Sequence, residues 1–214
     1  MLGLVRYVAA DARLGQRWLA PMLVFLAAEL PFNVGGGSAL SVWAFSTALL
    51  LAVAIWLTVS VLSTVDPAQA AVLIVAAGSP RVRLAGLLTA YAGTVPLAAF
   101  AVVWPLVVQH PFTAAGVVAA VVAHLLTGLA GVAIGALLSR PVLARRAWAV
   151  LAGVVAVLVE VVVPHAPPAR QVLELFDRDH PGAFAGPLAA TAVQTILLAA
   201  VLVGVAQRIA RPRE

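Results

Sequence analysis

The chain has 214 residues, of which 64% are hydrophobic and 10% charged, against about 45–50% and about 25% in an ordinary soluble domain. A mean hydropathy of +1.09 over the whole length cannot be hidden in one core, which excludes a soluble globular protein and points to a polytopic membrane protein. Cysteine is absent and all 13 positive charges are Arg, which excludes a disulfide framework, a thiolate metal site, a lysine Schiff base and the phosphate-binding lysine of a Walker A loop.

Residues 1–17 read as an amphipathic helix. At about 100° per residue, Arg6, Arg13 and Arg17 fall within about 40° of one another, while Leu4, Val5, Val8, Ala12, Trp18 and Leu19 occupy another arc. Such a basic stripe suits a helix lying on the inner membrane surface, with its arginines reaching headgroups or a partner protein. The plainer reading is a tail held inside by its charge. Basic residues before an apolar run also open a signal sequence, but this stretch is long and holds Asp11.

Residues 18–206 form one transmembrane domain of six apolar runs, near 18–32, 41–62, 84–108, 113–138, 148–163 and 187–206, followed by a tail at 207–214. The runs are long, continuous and rich in Ala and Leu, which argues for helices and against the short alternating segments of a barrel. The expected fold is therefore all-α and polytopic. Six crossings put both termini on one side, and Arg is retained in the cytoplasm. Eleven of the thirteen arginines fall before the first run, after the second and fourth, or after the sixth; only Arg170 and Arg178 lie in the outer loop at 164–186. Both termini are thus expected in the cytoplasm. Trp18, Trp43, Trp104 and Trp148 fall near run ends, as an interfacial aromatic belt would place them.

The inner loop at 63–83 predicts a short capped helix. Asp66 can accept the free N–H groups of a first turn, Pro67 fits the first helical position, and Gly78 with Pro80 stops the helix after about three turns. At that length it cannot cross the bilayer, so its apolar residues must be covered by protein or by the interface. Further along, Gly131-Val132-Ala133-Ile134-Gly135 matches GxxxG, with Gly128 nearby. Close helix contact is its physical meaning, either within one subunit or between two. Pro96 and Pro105 in the third run are positions where that helix could kink.

Ionisable groups in hydrocarbon are functional candidates by default. Glu29 and Glu160 lie near the outer ends of the first and fifth runs and His124 near the middle of the fourth. The carboxylates either reach headgroups and loop helices or line an outer vestibule; His124 either bonds a neighbouring helix or belongs to a substrate or proton path. Thr89, Thr94 and Gln194 read as interhelical bonds. In the outer loop, residues 169–176 predict a short amphipathic helix with Val172, Leu173, Leu175 and Phe176 packed on the run ends. His165, Glu174, Asp177, Asp179 and His180 cluster in this loop and read as solvated loop rather than as a divalent-cation site, so no metal is assigned.

Taken together, the N-terminal amphipathic helix, six runs with both ends inside, and the capped helix at 66–78 followed by Ser79-Pro80-Arg81-Val82-Arg83 resemble the membrane subunits of type-2 ATP-binding-cassette exporters. The layout covers nearly the whole chain, the motif some twenty residues. Where many family members have an acidic residue followed by Gly and Thr or Ser, this chain has Asp66-Pro67-Ala68-Gln69, and no Lys opens the third run. Where many have a hydrophobic hairpin between the last two spans, residues 164–186 are polar and Pro-rich. The resemblance implies a multi-pass protein of a bacterial plasma membrane. It would be a permease without enzymatic activity or cofactor of its own, moving an amphipathic or lipid-like substrate. ATP and Mg would sit on a separate cytoplasmic ATPase, contacted through Asp66, Pro67, Gln69, Gly78, Pro80, Arg81 and Arg83. A second copy or a related permease would complete the pathway; membrane lipid is the other partner and nucleic acid is not one. An ATPase-independent transporter would want midplane carboxylates or an internal repeat. An intramembrane enzyme would want converging catalytic groups. Neither pattern is visible, and a non-transporting assembly subunit is the remaining alternative.

Overall fold

The computed structural model describes residues 1–34, 39–108, 112–140, 142–143, 146–164, 166, 168–176 and 184–210, and among these it contains nine helices and no strand. In chain order they are α1 (Leu2–Leu14), α2 (Leu19–Val34), α3 (Ala39–Leu62), α4 (Pro67–Ala77), α5 (Ser79–Val108), α6 (Ala114–Leu138), α7 (Arg146–Val162), α8 (Ala169–Phe176) and α9 (Ala185–Ala210). The helices α3, α5, α6 and α9 are long and apolar enough to cross a membrane. Helices α2 and α7 have 16 and 17 residues. At 1.5 Å per residue they reach about 24–26 Å, short of a hydrocarbon core of about 30 Å.

Two apolar clusters define the ends of the bundle. At one end Val8 and Ala12 of α1 pack with Leu57 and Val61 of α3, Ala85 and Leu87 of α5, Ala136 of α6 and Ala206 of α9. At the other, Val172, Leu175 and Phe176 of α8 pack with Trp43 of α3, Val102 of α5, Ala119 and Ala123 of α6 and Leu188 of α9. Helices α3, α6 and α9 therefore run from the α8 end to the α1 end, and α5 runs the other way. Helix α2 leaves the α1 end beside Trp18 and approaches the start of α3, where Phe32 stacks on Phe45 at 3.9 Å.

Helix α6 is the axis of the bundle, touching α3, α5, α7 and α9. Its small residues permit this. A Cβ on Gly131 would come within 2.6 Å of Ala54 Cβ, and one on Gly135 within 2.6 Å of Thr58 Cβ, so the GxxxG face is spent on α3 within the chain. Gly128 faces a different neighbour, Thr94 of α5, whose Oγ1 lies 2.9 Å from where a Cβ would stand. Helix α5 is continuous through Pro96 and Pro105.

Three sequence expectations change. Trp43 is 1% exposed, packed against Phe112 and Phe176 with ring centroids at 5.1 and 6.2 Å, and so belongs to the core under α8 rather than to a belt. Thr89 and Thr94 donate to Ala85 and Tyr91 of their own helix at 2.9 and 2.7 Å, so they turn back on α5 instead of bonding a neighbour. Helix α5 begins at Ser79, ahead of the run at 84–108, because Pro80 is tolerated in a first turn where its missing N–H bonds nothing. Residues 35–38 lie outside the described residues, as do His165, Asp177, Asp179 and His180 of the outer-loop cluster and Arg145, Arg178, Arg211 and Arg213; Glu174 of that cluster is described, in α8.

Candidate functional site

Helix α4 is built as its sequence dictates. Asp66 sits in extended conformation at the N-cap and accepts the Ala68 N–H at 2.8 Å, with Pro67 at the first helical position. Gly78 adopts φ +82°, its N–H donates to Ile74 O at 2.8 Å, and its own carbonyl receives the N–H groups of Arg81 and Val82 at 3.1 and 3.2 Å. A single residue thus ends α4 and starts α5. The positive φ is the reason glycine stands there.

What is unusual about α4 is its surroundings. Its sequence PAQAAVLIVAA holds one polar side chain, Gln69, yet none of residues 68–77 is buried. Val72 is 69% exposed and Val75 89%. The helix rests on α5 and leaves most of its apolar surface uncovered.

Around it the α1 end is basic. Arg6 and Arg13 are exposed on α1, whose Val8 and Ala12 pack on the bundle. Arg17 donates to Ser63 O at 2.8 Å, tying the α1–α2 turn to the end of α3. Pro80, Arg81, Arg140 and Arg208 are also exposed here. Arg83, expected at the contact surface, is instead 8% exposed and donates through Nη2 to Ala136 O at 3.0 Å, at the last turn of α6. It braces two helix ends from inside. At the α8 end, Arg170 pairs with Glu174 at 2.9 Å.

The three ionisable residues expected in the membrane are all buried but lie apart in the chain's architecture, on α2, α6 and α7. Glu29 is fully buried. His124 is fully buried, with Nδ1 2.7 Å from Ala120 O and Nε2 2.8 Å from Ser46 Oγ. Only a protonated Nδ1 can bond a carbonyl, so Nε2 is left to accept the Ser46 hydroxyl proton, and the pair joins α6 to α3. Glu160 is 8% exposed and accepts the backbone N–H of Ala169, the first residue of α8. It caps that helix from α7. No group of three His, Asp or Glu that could hold a metal occurs among the described residues.

Between α3 and α7 runs an apolar groove of about 570 Å³, lined by Ile55, Trp56, Val59, Ser60, Gly153 and Val157 among others. Trp56, 43% exposed, had no visible role in the sequence. Neither Ser46 nor the Glu160–Ala169 contact carried a sequence signal, because both depend on which helices become neighbours. Only the preference of a helix N-terminus for a carboxylate could have drawn Glu160 toward residue 169.

These features define an all-helical chain with the long apolar helices of a membrane protein, a basic end and one uncovered apolar helix at that end. No protein-family model matches the chain, and no curated protein or solved structure matches it.

Proposed function

We propose that this chain is the permease subunit of an ATP-binding-cassette type exporter, with α4 as the element on which a separate ATPase docks. The observation that carries the reading is the exposure of α4: a rigidly capped apolar helix, between two long helices, with Val72 and Val75 uncovered. Leaving that surface in water is costly at about 25 cal/mol per Å² of apolar area, so a partner surface is its natural cover. Exposed Gln69, Pro80 and Arg81 rim it.

In this reading α2, α3, α5, α6, α7 and α9 all cross the plasma membrane of a bacterium, α2 and α7 where the bilayer thins or their flanks extend them. The α1 end faces the cytoplasm. The support is charge: of the exposed arginines among the described residues, Arg6, Arg13, Arg17, Arg81, Arg140 and Arg208 belong to the α1 end. ATP-driven closure of the docked ATPase would push α4, and α5 would carry the displacement inward because Gly78 alone separates the two helices, with α3 linked through the short turn at 63–66. The uncharged groove between α3 and α7 supports an amphipathic or lipid-like cargo. A second copy of the chain, or a related permease, would complete the pathway.

The test is to purify the tagged chain from its native host in mild detergent and identify co-purifying proteins by mass spectrometry. A stoichiometric ATPase that is lost on Val75→Asp or Arg81→Glu, with the bundle still folded, supports the reading. A lone oligomer that moves substrate without an ATPase overturns it.

A further inference from the structure

We propose that the groove between α1, α2, α3 and α5 holds one acyl chain of an anionic phospholipid from the leaflet that meets α1, with its phosphate on Arg13. The groove has a volume of about 280 Å³ and is lined by Val5, Trp18, Leu57, Gly93 and Pro96, with Arg13 as its one charged residue. It stands on the membrane character of the chain and not on the ATPase reading.

The walls ask for hydrocarbon. Thr89, the hydroxyl in the lining, is already bonded to Ala85 O at 2.9 Å, and the Trp18 indole N–H to Arg13 O at 3.4 Å. Water entering here would find few partners, whereas a methylene chain needs none. Glycine at position 93 keeps the floor open, since a Cβ there would stand 3.0 Å from Leu57 Cδ2.

The headgroup is set by charge. Arg13 lies four residues after Ala9 in the lining, one helical turn on, at the edge where α1 leaves the bundle. Its guanidinium is exposed and has no hydrogen bond or ion pair among the described residues. A zwitterionic lipid would fill the slot but brings its own ammonium to compete with Arg13 for its phosphate; a phosphate diester in a lipid of one net negative charge leaves Arg13 as its counter-charge and satisfies both ends at once.

The experiment uses the full chain in detergent, equilibrated with equimolar phosphatidylglycerol and phosphatidylcholine of identical acyl chains, and reads retained lipid by native mass spectrometry. One retained phosphatidylglycerol is expected, preferred about fivefold over phosphatidylcholine, the ratio for one interfacial Arg. Arg13→Gln is expected to abolish the preference while still retaining lipid, and Arg140→Gln, at the same end but outside the groove, to keep it. Gly93→Leu fills the floor and should cut retention of both lipids. Because that variant can also disturb packing against Leu57, Ala9→Leu, from the half-buried α1 wall, fills the same slot independently. Equal retention of the two lipids by the unaltered chain overturns the proposal. So does an unchanged preference in Arg13→Gln, unchanged retention in Ala9→Leu, or a lipid-free dimer in which a second copy fills the groove.

Discussion

Arg83, four residues into α5, donates a hydrogen bond to the carbonyl oxygen of Ala136 in the last turn of α6, 3.0 Å away and nearly out of contact with solvent. Helix ends leave their last carbonyls unpaired and carry partial negative charge. A buried cation aimed at such a carbonyl answers both, and Ser139 Oγ donates to the same oxygen at 2.8 Å. Arg83→Leu is therefore expected to lower stability by about 1.5–3 kcal/mol, the range for hydrogen bonds to charged groups. Arg81→Gln, exposed two residues earlier, should change it by less than about 0.5 kcal/mol. Thermal melting in detergent compares the two, and equal shifts would contradict a bracing role for Arg83.

The α3–α6 contact makes a sharper demand on size. Gly131→Leu drives side-chain atoms into Ala54 and the Leu51 carbonyl, and Gly135→Leu into Thr58 and the Ile55 carbonyl. Backbone on the far side cannot rotate away, so each should cost at least the roughly 1–3 kcal/mol of an overpacked core. Gly204→Ala in α9 meets nothing within 4 Å and should stabilise by up to about 1 kcal/mol through helix propensity. Fluorescence size-exclusion after a heating series separates these outcomes.

How much of this was legible beforehand depended on whether the signal was local. Asp66, Pro67 and Gly78 act within a few residues of themselves, so the caps of α4 could be read from their spacing; the same holds for most of α8, whose three- and four-residue spacing puts Val172, Leu175 and Phe176 on one buried face, while Leu173, expected with them, is only half-buried. Burial of Arg83 could not, because it depends on α6 ending beside the first turn of α5, a relation between residues 53 positions apart. Trp43 shows the same limit: a tryptophan near a helix end suits a headgroup belt, and only the arrival of α8 over it turns that position into core. The Gly128 case is finer. It lies within one turn of Gly131, yet α5 rather than α3 occupies its side of α6.

The His124–Ser46 pair is a fully buried polar side-chain link between α3 and α6. Ser46 also lies 3.2 Å from Trp43 O, so losing the imidazole leaves its hydroxyl an acceptor, whereas losing the hydroxyl leaves Nε2 with none. Ser46→Ala is thus expected to cost about 1–3 kcal/mol, and His124→Phe to be set by its fit. A double-mutant cycle should give a coupling of about 0.6–1.7 kcal/mol, the range of interhelical bonds in membranes. A coupling indistinguishable from zero would mean that the bond contributes nothing net.

Capping of α4 predicts a local rather than a global effect. Asp66→Ala removes the acceptor for the Ala68 N–H and should destabilise the first turn by about 1 kcal/mol, while Gly78→Ala forces a side chain into φ +82° at a cost of roughly 1–3 kcal/mol. Because none of residues 68–77 is buried and α4 only rests on α5, neither change should move the melting temperature much. Both should raise the hydrogen-exchange rate of the α4 amides severalfold while the amides of α6 stay protected. A cover supplied by a partner would reverse the α4 effect on binding, since a helix fixed by contact exchanges no faster for having lost its cap. Exchange in α6 rising together with α4 would instead show that α4 is part of the cooperative core, which its exposed Val72 and Val75 argue against.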